Sequence, residues 1–255
     1  MRQSVGLGIP KIVNQFVRGQ YAARGWDIIP RAANNGKAIV LLPLLIERCA
    51  LVEGKGTILQ IGANNGVSSD PVHEIITALS LPAILVEPLP DRFEQLGRNY
   101  SGQPNIRFEN VAVSTEAGEA EIFRISPAAK HLPDWVQLLA SFDKANLLRH
   151  EGLPGLKGER LDPYIETVRV SVVTVSQLLQ KHSDMPGLIA LQIDTEGHDF
   201  KVIRSAVEAG CLPRIINYEH KHLTYSDQVS CRALLSSKGY SFWANGEDTL
   251  AYRAG

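Results

Sequence analysis

A mostly parallel α/β sheet, covered by helices on both faces, is the architecture this sequence predicts. Three observations predict it. The run Thr57-Ile-Leu-Gln-Ile61 is apolar and β-branched, and it stops in the turn Gly62-Ala-Asn-Asn-Gly66. A second run, Ala83-Ile-Leu-Val86, ends in the carboxylate of Glu87, 25 residues past Gly62. Strand-like and helical patterns then alternate to residue 238 before the chain turns into a hairpin.

The elements follow in order. Residues 1–55 read as a helical N-terminal segment, with Leu41, Leu44, Leu45 and Arg48 at helical spacing and Gly54 and Gly56 ending it. It covers a site mouth or makes a homodimer contact; the sequence leaves both open. The apolar run Ala38–Ile46 is too short to span a bilayer and is interrupted by Pro43, so it reads as a buried helix. Strands are expected at 57–61, 83–87, 106–113, 168–173, 188–193 and 214–219. Helices are expected near 90–99, 175–182, 198–209 and 226–238. Tyr240–Ala244, the turn Asn245-Gly246 and Asp248–Arg253 predict a closing antiparallel hairpin. Residues 126–167 break the rhythm with four prolines and several glycines, and read as an insertion that shapes a pocket. The main domain therefore runs 56–255.

Composition narrows the function. Lys+Arg number 26 and Asp+Glu 27, so the net charge is −1 and nothing suggests a nucleic-acid partner or an integral membrane contact. Cys49, Cys211 and Cys231 are few, odd and far apart, which fits a reducing cytoplasm better than a disulfide framework. The glycine turn after strand one lets backbone lie close against a nucleotide-like ligand. An acid at the tip of strand two is placed to grip ribose hydroxyls. An NAD-type oxidoreductase would want Gly-x-Gly-x-x-Gly at the first turn, and a P-loop would want Gly-Lys-Ser/Thr; neither is present.

Several blocks, taken in order, resemble the FkbM-type S-adenosylmethionine-dependent methyltransferases, which have a class I methyltransferase (Rossmann-like) sheet. They are Gln60–Gly66, Val86-Glu-Pro88, Asn110–Ser114, Ile193-Asp-Thr-Glu-Gly-His198, Gly239-Tyr240 and Asp248–Ala251. Gln60 stands where many members carry an acid, and Gln192 where a Lys is common. The resemblance implies methyl transfer to a hydroxyl of a sugar or secondary metabolite. In that frame Gln60, Gly62, Ala63, Asn64, Asn65 and Gly66 hold the methionine part of the cofactor. Glu87 and Pro88 hold the ribose, and Asn110 and Ala112 line the adenine edge. Ala140-Ser-Phe-Asp143 and His150 resemble a segment found in some members; Ser141 contacts the cofactor carboxylate or the acceptor, or caps a helix.

Asp194 ends a strand at the ligand edge of the sheet, so it is expected in both the cofactor and the catalytic set. Glu196 is either a site acid or a helix cap. His198, with a reference pKa near neutrality, is expected as general base or as a structural side chain. Asp194, Glu219 and His220 sit at two strand ends and can share a divalent cation such as Mg²⁺, which would lower the acceptor pKa. The alternative is a non-catalytic cofactor- or glycan-binding protein on the same fold.

Overall fold

The computed structural model describes residues 41–254 apart from 154 and 157, so the expected N-terminal segment up to residue 40 lies outside the described residues. Chain order begins with helix α1 (Leu41–Glu53), β1 (Thr57–Ile61), α2 (His73–Leu79), β2 (Ala83–Val86), α3 (Pro90–Asn99) and β3 (Ile106–Glu109). Then come β4 (Ala112–Val113), β5 (Gly118–Ile125), β6 (Ala140–Ser141), α4 (Lys144–Leu148) and β7 (Ile165–Val173). The chain continues through α5 (Val175–Lys181), β8 (Leu188–Ile193), α6 (Asp199–Glu208), β9 (Ile215–Glu219) and α7 (Tyr225–Ser236). It ends with β10 (Ser241–Asn245) and β11 (Asp248–Tyr252).

The main sheet has the order β10-β11-β9-β8-β1-β2-β3. β3, β2, β1, β8 and β9 are parallel, and the β10–β11 hairpin joins through an antiparallel β11–β9 pair, as the Asn-Gly turn predicted. β1 is buried along its whole length because helices cover both faces, which is why it reads as a continuous apolar run. Successive side chains serve opposite cores. Ile58, Leu85 and Ala190 pack with α1 and α2, through Ile46 and Ile76. Leu59, Ile61, Leu191 and Ile193 pack against Val202, Ile203 and Ala206 of α6 and Leu235 of α7. Local rules start the helices. Pro90 opens α3 with Asp91 in its first turn, and Thr174 and Gln177 form a reciprocal capping box at α5.

The structure corrects three expectations. The run 106–113 splits, because Asn110 turns its side chain back to donate to the carbonyls of Glu87 (2.8 Å) and Pro88 (3.0 Å). Strand 168–173 begins earlier, at Ile165, and belongs to a second sheet of order β4-β7-β5-β6. In that sheet β5 and β7 pair antiparallel from Gly118↔Val172 to Ile125↔Ile165. β5 and α2 were not anticipated. The alternation of Glu119 and Glu121 with Ala120 and Ile122 is the period-two signal for β5.

The second sheet and the segment between β5 and β7 form a cap with its own core of Ile125, Leu132, Val136, Leu139, Leu147 and Leu161. Two sets of contacts tie the cap down. Buried Arg124 of β5 pairs with Asp91 of α3 (Nη2–Oδ2 2.9 Å), and Arg92 donates to the carbonyl of Gln137 (2.6 Å). On the other side, Ser141 Oγ and Asn146 Nδ2 both donate to the carbonyl of Glu196 (2.7 and 2.8 Å).

Candidate active site

One cavity of about 430 Å³ opens at the carboxyl ends of β1, β2, β8 and β9, roofed by the cap. Gly62 makes its floor possible. Its φ is +82°, and a Cβ there would lie 1.8 Å from the Asp194 carbonyl oxygen, so only glycine lets β1 and β8 end side by side. Asn64 follows in the left-handed region at φ +48°. That turn aims the Asn64 N–H at Glu87 Oε2 (2.8 Å), while the N–H of Leu89 donates to Oε1 (2.9 Å). Burial raises Glu87 from 4.5 to about 7 against these two bonds.

Gly62, Ala63, Asn64, Glu87, Pro88 and Ala112 all line the cavity, with Leu89, Val113 and Ile122 supplying an apolar wall. Asn65, Gly66 and Asn110 do not. Asn65 accepts from the N–H groups of Val67 and Ser68 and so shapes the loop from within. Gly66 packs so closely that a Cβ would meet Leu96 at 2.4 Å and Tyr100 at 2.6 Å. Asn110 braces the turn after β2, as described above.

Gln60 does line the cavity, though differently from the family's usual acid. Its Nε2 donates to Asp70 Oδ2 (3.0 Å), and its Oε1 is buried without a partner. Asp70, absent from the sequence reading, thus brings a carboxylate to the side of the position where many members carry one.

The opposite end of the cavity is acidic. Asp194, Glu196 and Glu219 offer oxygens that lie within 4.8 Å of one another. Asp194 opens into the cavity but sits deep in the molecule. Shielding from bulk water raises its pKa well above the ordinary value, and Glu196 and Asp199 push the same way. Burial, then Asp199, raises Glu196 to about 7. Burial, then Glu196 and Asp194, raises Glu219 to about 10. Glu196 has φ +50°, and the two donors from Ser141 and Asn146 on its carbonyl hold that conformation. Fully buried Asp199 ties the two strand ends together, accepting from Thr195 Oγ1 (2.8 Å) and the Glu219 N–H (3.1 Å).

Two expected histidines are not part of this end. His198 does not line the cavity; its ring stacks on Phe142 (4.1 Å between centroids), and Nε2 meets Ser114 Oγ at 3.0 Å. Gly197, at φ +98°, reverses the chain between Glu196 and His198 and sends the two side chains to different places. His220 meets Thr249 Oγ1 through Nδ1 (3.1 Å) and does not line the cavity. His222 and His150 stand there instead. His222 Nε2 lies 3.1 Å from Glu196 Oε2 and 3.6 Å from Glu219 Oε1, and the two imidazole centroids are 5.3 Å apart. Burial lowers both histidines, His222 to about 4. Ser141 reaches the cavity wall, but its hydroxyl is committed to the Glu196 carbonyl.

Among the described residues no helix is long and apolar enough to cross a membrane. No curated protein matches the chain in sequence. Methyltransferase FkbM from Methylobacillus flagellatus KT superimposes with a TM-score of 0.51 at 12% identity, over 95% of this chain and 60% of its own. This chain thus spans about 60% of that protein's length. A putative caffeoyl-CoA O-methyltransferase from Staphylococcus aureus aligns with 94% of the chain and 91% of its own, at 10% identity and a TM-score of 0.44. The METTL16 MTase domain aligns with 99% and 83%, at 11% identity and 0.43. The first of these shows the fold, and the Methyltransferase FkbM domain model matches residues 60–242. The glycine loop, the strand-end acid and Asp194-Thr-Glu196 converge on one cavity within the matched residues, and the chain belongs to the FkbM methyltransferase domain family.

Proposed function

We propose that this chain binds S-adenosylmethionine and transfers its methyl group to a hydroxyl oxygen of a sugar or small secondary metabolite. The observation that carries the reading is the polarity of the cavity at the strand ends: a nucleoside-type grip at one end and a proton-accepting cluster at the other. Glu87 keeps a free lone pair on each oxygen for the ribose hydroxyls. The walls of Leu89, Val113 and Ile122 suit an adenine ring. Gln60 Oε1 and Asp70 offer acceptors to the methionine ammonium, in place of the missing acid.

Methyl transfer is an in-line displacement, so most of the rate comes from holding the acceptor oxygen behind the methyl carbon. The sulfonium loses its positive charge as the methyl leaves, and the acceptor oxygen sheds a proton. Asp194, beside the Gly62 turn, is placed to take that proton and to face the sulfonium beforehand. Trp135, Leu138 and Phe142 of the cap give the acceptor an apolar bed. A small-molecule or carbohydrate acceptor in the cytoplasm fits the neutral charge balance and the three buried, unpaired cysteines.

The test is calorimetry with S-adenosylmethionine and its demethylated product, followed by transfer of a labelled methyl to a panel of hydroxyl acceptors. Micromolar binding of both cofactor forms and labelled ether product are expected. Absence of cofactor binding would overturn the reading, and binding without turnover on any acceptor class would favour a non-catalytic binder.

A further inference from the structure

We infer that His150, Glu196 and His222 form a binding site for a divalent first-row transition ion at the acceptor end of the cavity. The binding stands on its own residues, while a role for the ion in methyl transfer rests on the proposed function above. The three ligand atoms already lie within 4.8 Å of one another and come from the cap, the turn after β8 and the turn after β9. Each is prepared for the task. His150 Nδ1 meets the Asn146 carbonyl at 3.1 Å, and a carbonyl only accepts, so the proton stays on Nδ1 and Nε2 keeps the lone pair that a metal needs. His222 Nε2 and Glu196 Oε2 lie 3.1 Å apart, close enough for one ion to bind both. Glu196 is presented on a left-handed backbone pinned by Ser141 and Asn146.

A second observation points into the same space. Glu219 is 8% exposed, yet its Oε2 has no hydrogen-bond partner, and its Oε1 lies 3.6 Å from His222 Nε2. Buried carboxylate oxygens are rarely left unpaired, because the lost hydration is costly. The nearby Lys221 gives its ammonium to Glu247 (2.8 Å). A cation between the imidazoles would complete Glu219 as a fourth donor or as an acceptor for a metal-bound water. Two imidazoles with carboxylate suit Zn²⁺, Fe²⁺, Mn²⁺ or Co²⁺ rather than Mg²⁺, which takes oxygen ligands. The set differs from the sequence expectation of Asp194, Glu219 and His220: Glu196 takes the place of Asp194, Glu219 moves to the fourth position, and His150 and His222 stand in place of His220.

The experiment uses the full chain stripped with chelator and titrated with Co²⁺, read by its visible d–d bands, with Zn²⁺ competition for affinity. One equivalent of Co²⁺ with bands of low-coordinate intensity is expected. His150→Ala and His222→Ala should each weaken it by roughly tenfold or more, with His220→Ala unchanged as control. Thermal melting of each variant checks folding, and Glu196→Gln, nearly isosteric, covers the case in which an alanine variant does not fold. No stoichiometric Co²⁺, or binding that survives all of His150→Ala, His222→Ala and Glu196→Gln, would overturn the site. S-adenosylmethionine affinity measured on the same stripped protein keeps a failed metal site distinct from a failed methyltransferase reading.

Discussion

Glu87→Gln separates the stability role of this acid from its ligand role. Raising a carboxyl from 4.5 to about 7 costs its ionised form about 3 kcal/mol, since each tenfold is about 1.4 kcal/mol. The sign follows from proton binding. The folded state holds the Glu87 proton more tightly than the unfolded state, so its contribution to stability is full below about pH 4.5. It is then lost as pH rises through about 7. Between pH 5 and pH 8 that loss amounts to about 2.5 kcal/mol. Glutamine does not titrate, so the variant escapes it. Its amide oxygen still accepts from one of the N–H groups of Asn64 and Leu89, but its NH₂ faces the other, at a cost of about 1–3 kcal/mol. Glu87→Gln is therefore expected to be less stable than the parent at pH 5 and close to it at pH 8. Urea unfolding followed by tryptophan fluorescence at the two pH values measures the difference. The other raised acids, such as Glu196 and Glu219, are common to both proteins and cancel. At pH 8 the variant should still bind S-adenosylmethionine more weakly by about 1–3 kcal/mol, from the lost charge-assisted bonds to the ribose. A stability gap identical at pH 5 and pH 8 would refute the argument that burial strains the ionised carboxylate.

Three more outcomes are expected. Asp70→Asn should weaken S-adenosylmethionine by about 1.5–3 kcal/mol while leaving 5′-methylthioadenosine, which lacks the amino-acid portion, unchanged; equal losses for both ligands in calorimetry would remove Asp70 from the ammonium contact. His198→Ala should cost about 1–3 kcal/mol of stability through the lost Phe142 stack and Ser114 bond, yet keep turnover within about tenfold of the parent, whereas a loss of 10²-fold or more would restore it as general base. Gly62→Ala should destabilise by roughly 2–5 kcal/mol and abolish cofactor binding, because its Cβ would sit on the Asp194 carbonyl at a positive φ; a parent-like melting temperature would contradict that packing.

What the sequence disclosed was whatever is written locally. The β1 run, the Gly62 turn, Glu87 and the Asn245-Gly246 hairpin each depend on neighbours a few residues away, and each sits where it was expected. The cap was less legible. β7 pairs with β5 across a long excursion, so the main-sheet strand expected at 168–173 could not be distinguished from a strand of another sheet. His198 was drawn into the site by its nearness in sequence to Asp194 and Glu196, but a single left-handed glycine undid that adjacency. The meeting of His150, read only as part of the family-like segment with Ser141, and His222 was hidden for the opposite reason: they meet only because Asn146 and Ser141 dock the cap on the turn that carries Glu196. Asp70 was missed because nothing local to it marks an acid that answers a glutamine ten residues earlier.

The twin bonds from Ser141 and Asn146 to the Glu196 carbonyl have a consequence for redesign. In many enzymes a lid can be exchanged like a tool head, altering which molecule is admitted while the reacting centre stays as it was. In this chain the lid holds the backbone of a central acid in a conformation that acid would not choose alone. Grafting a foreign segment between β5 and β7 would relax Glu196 unless the graft restores both donors. Selectivity and chemistry are thus inherited together, and a library that diversifies the cap should hold Ser141 and Asn146 fixed.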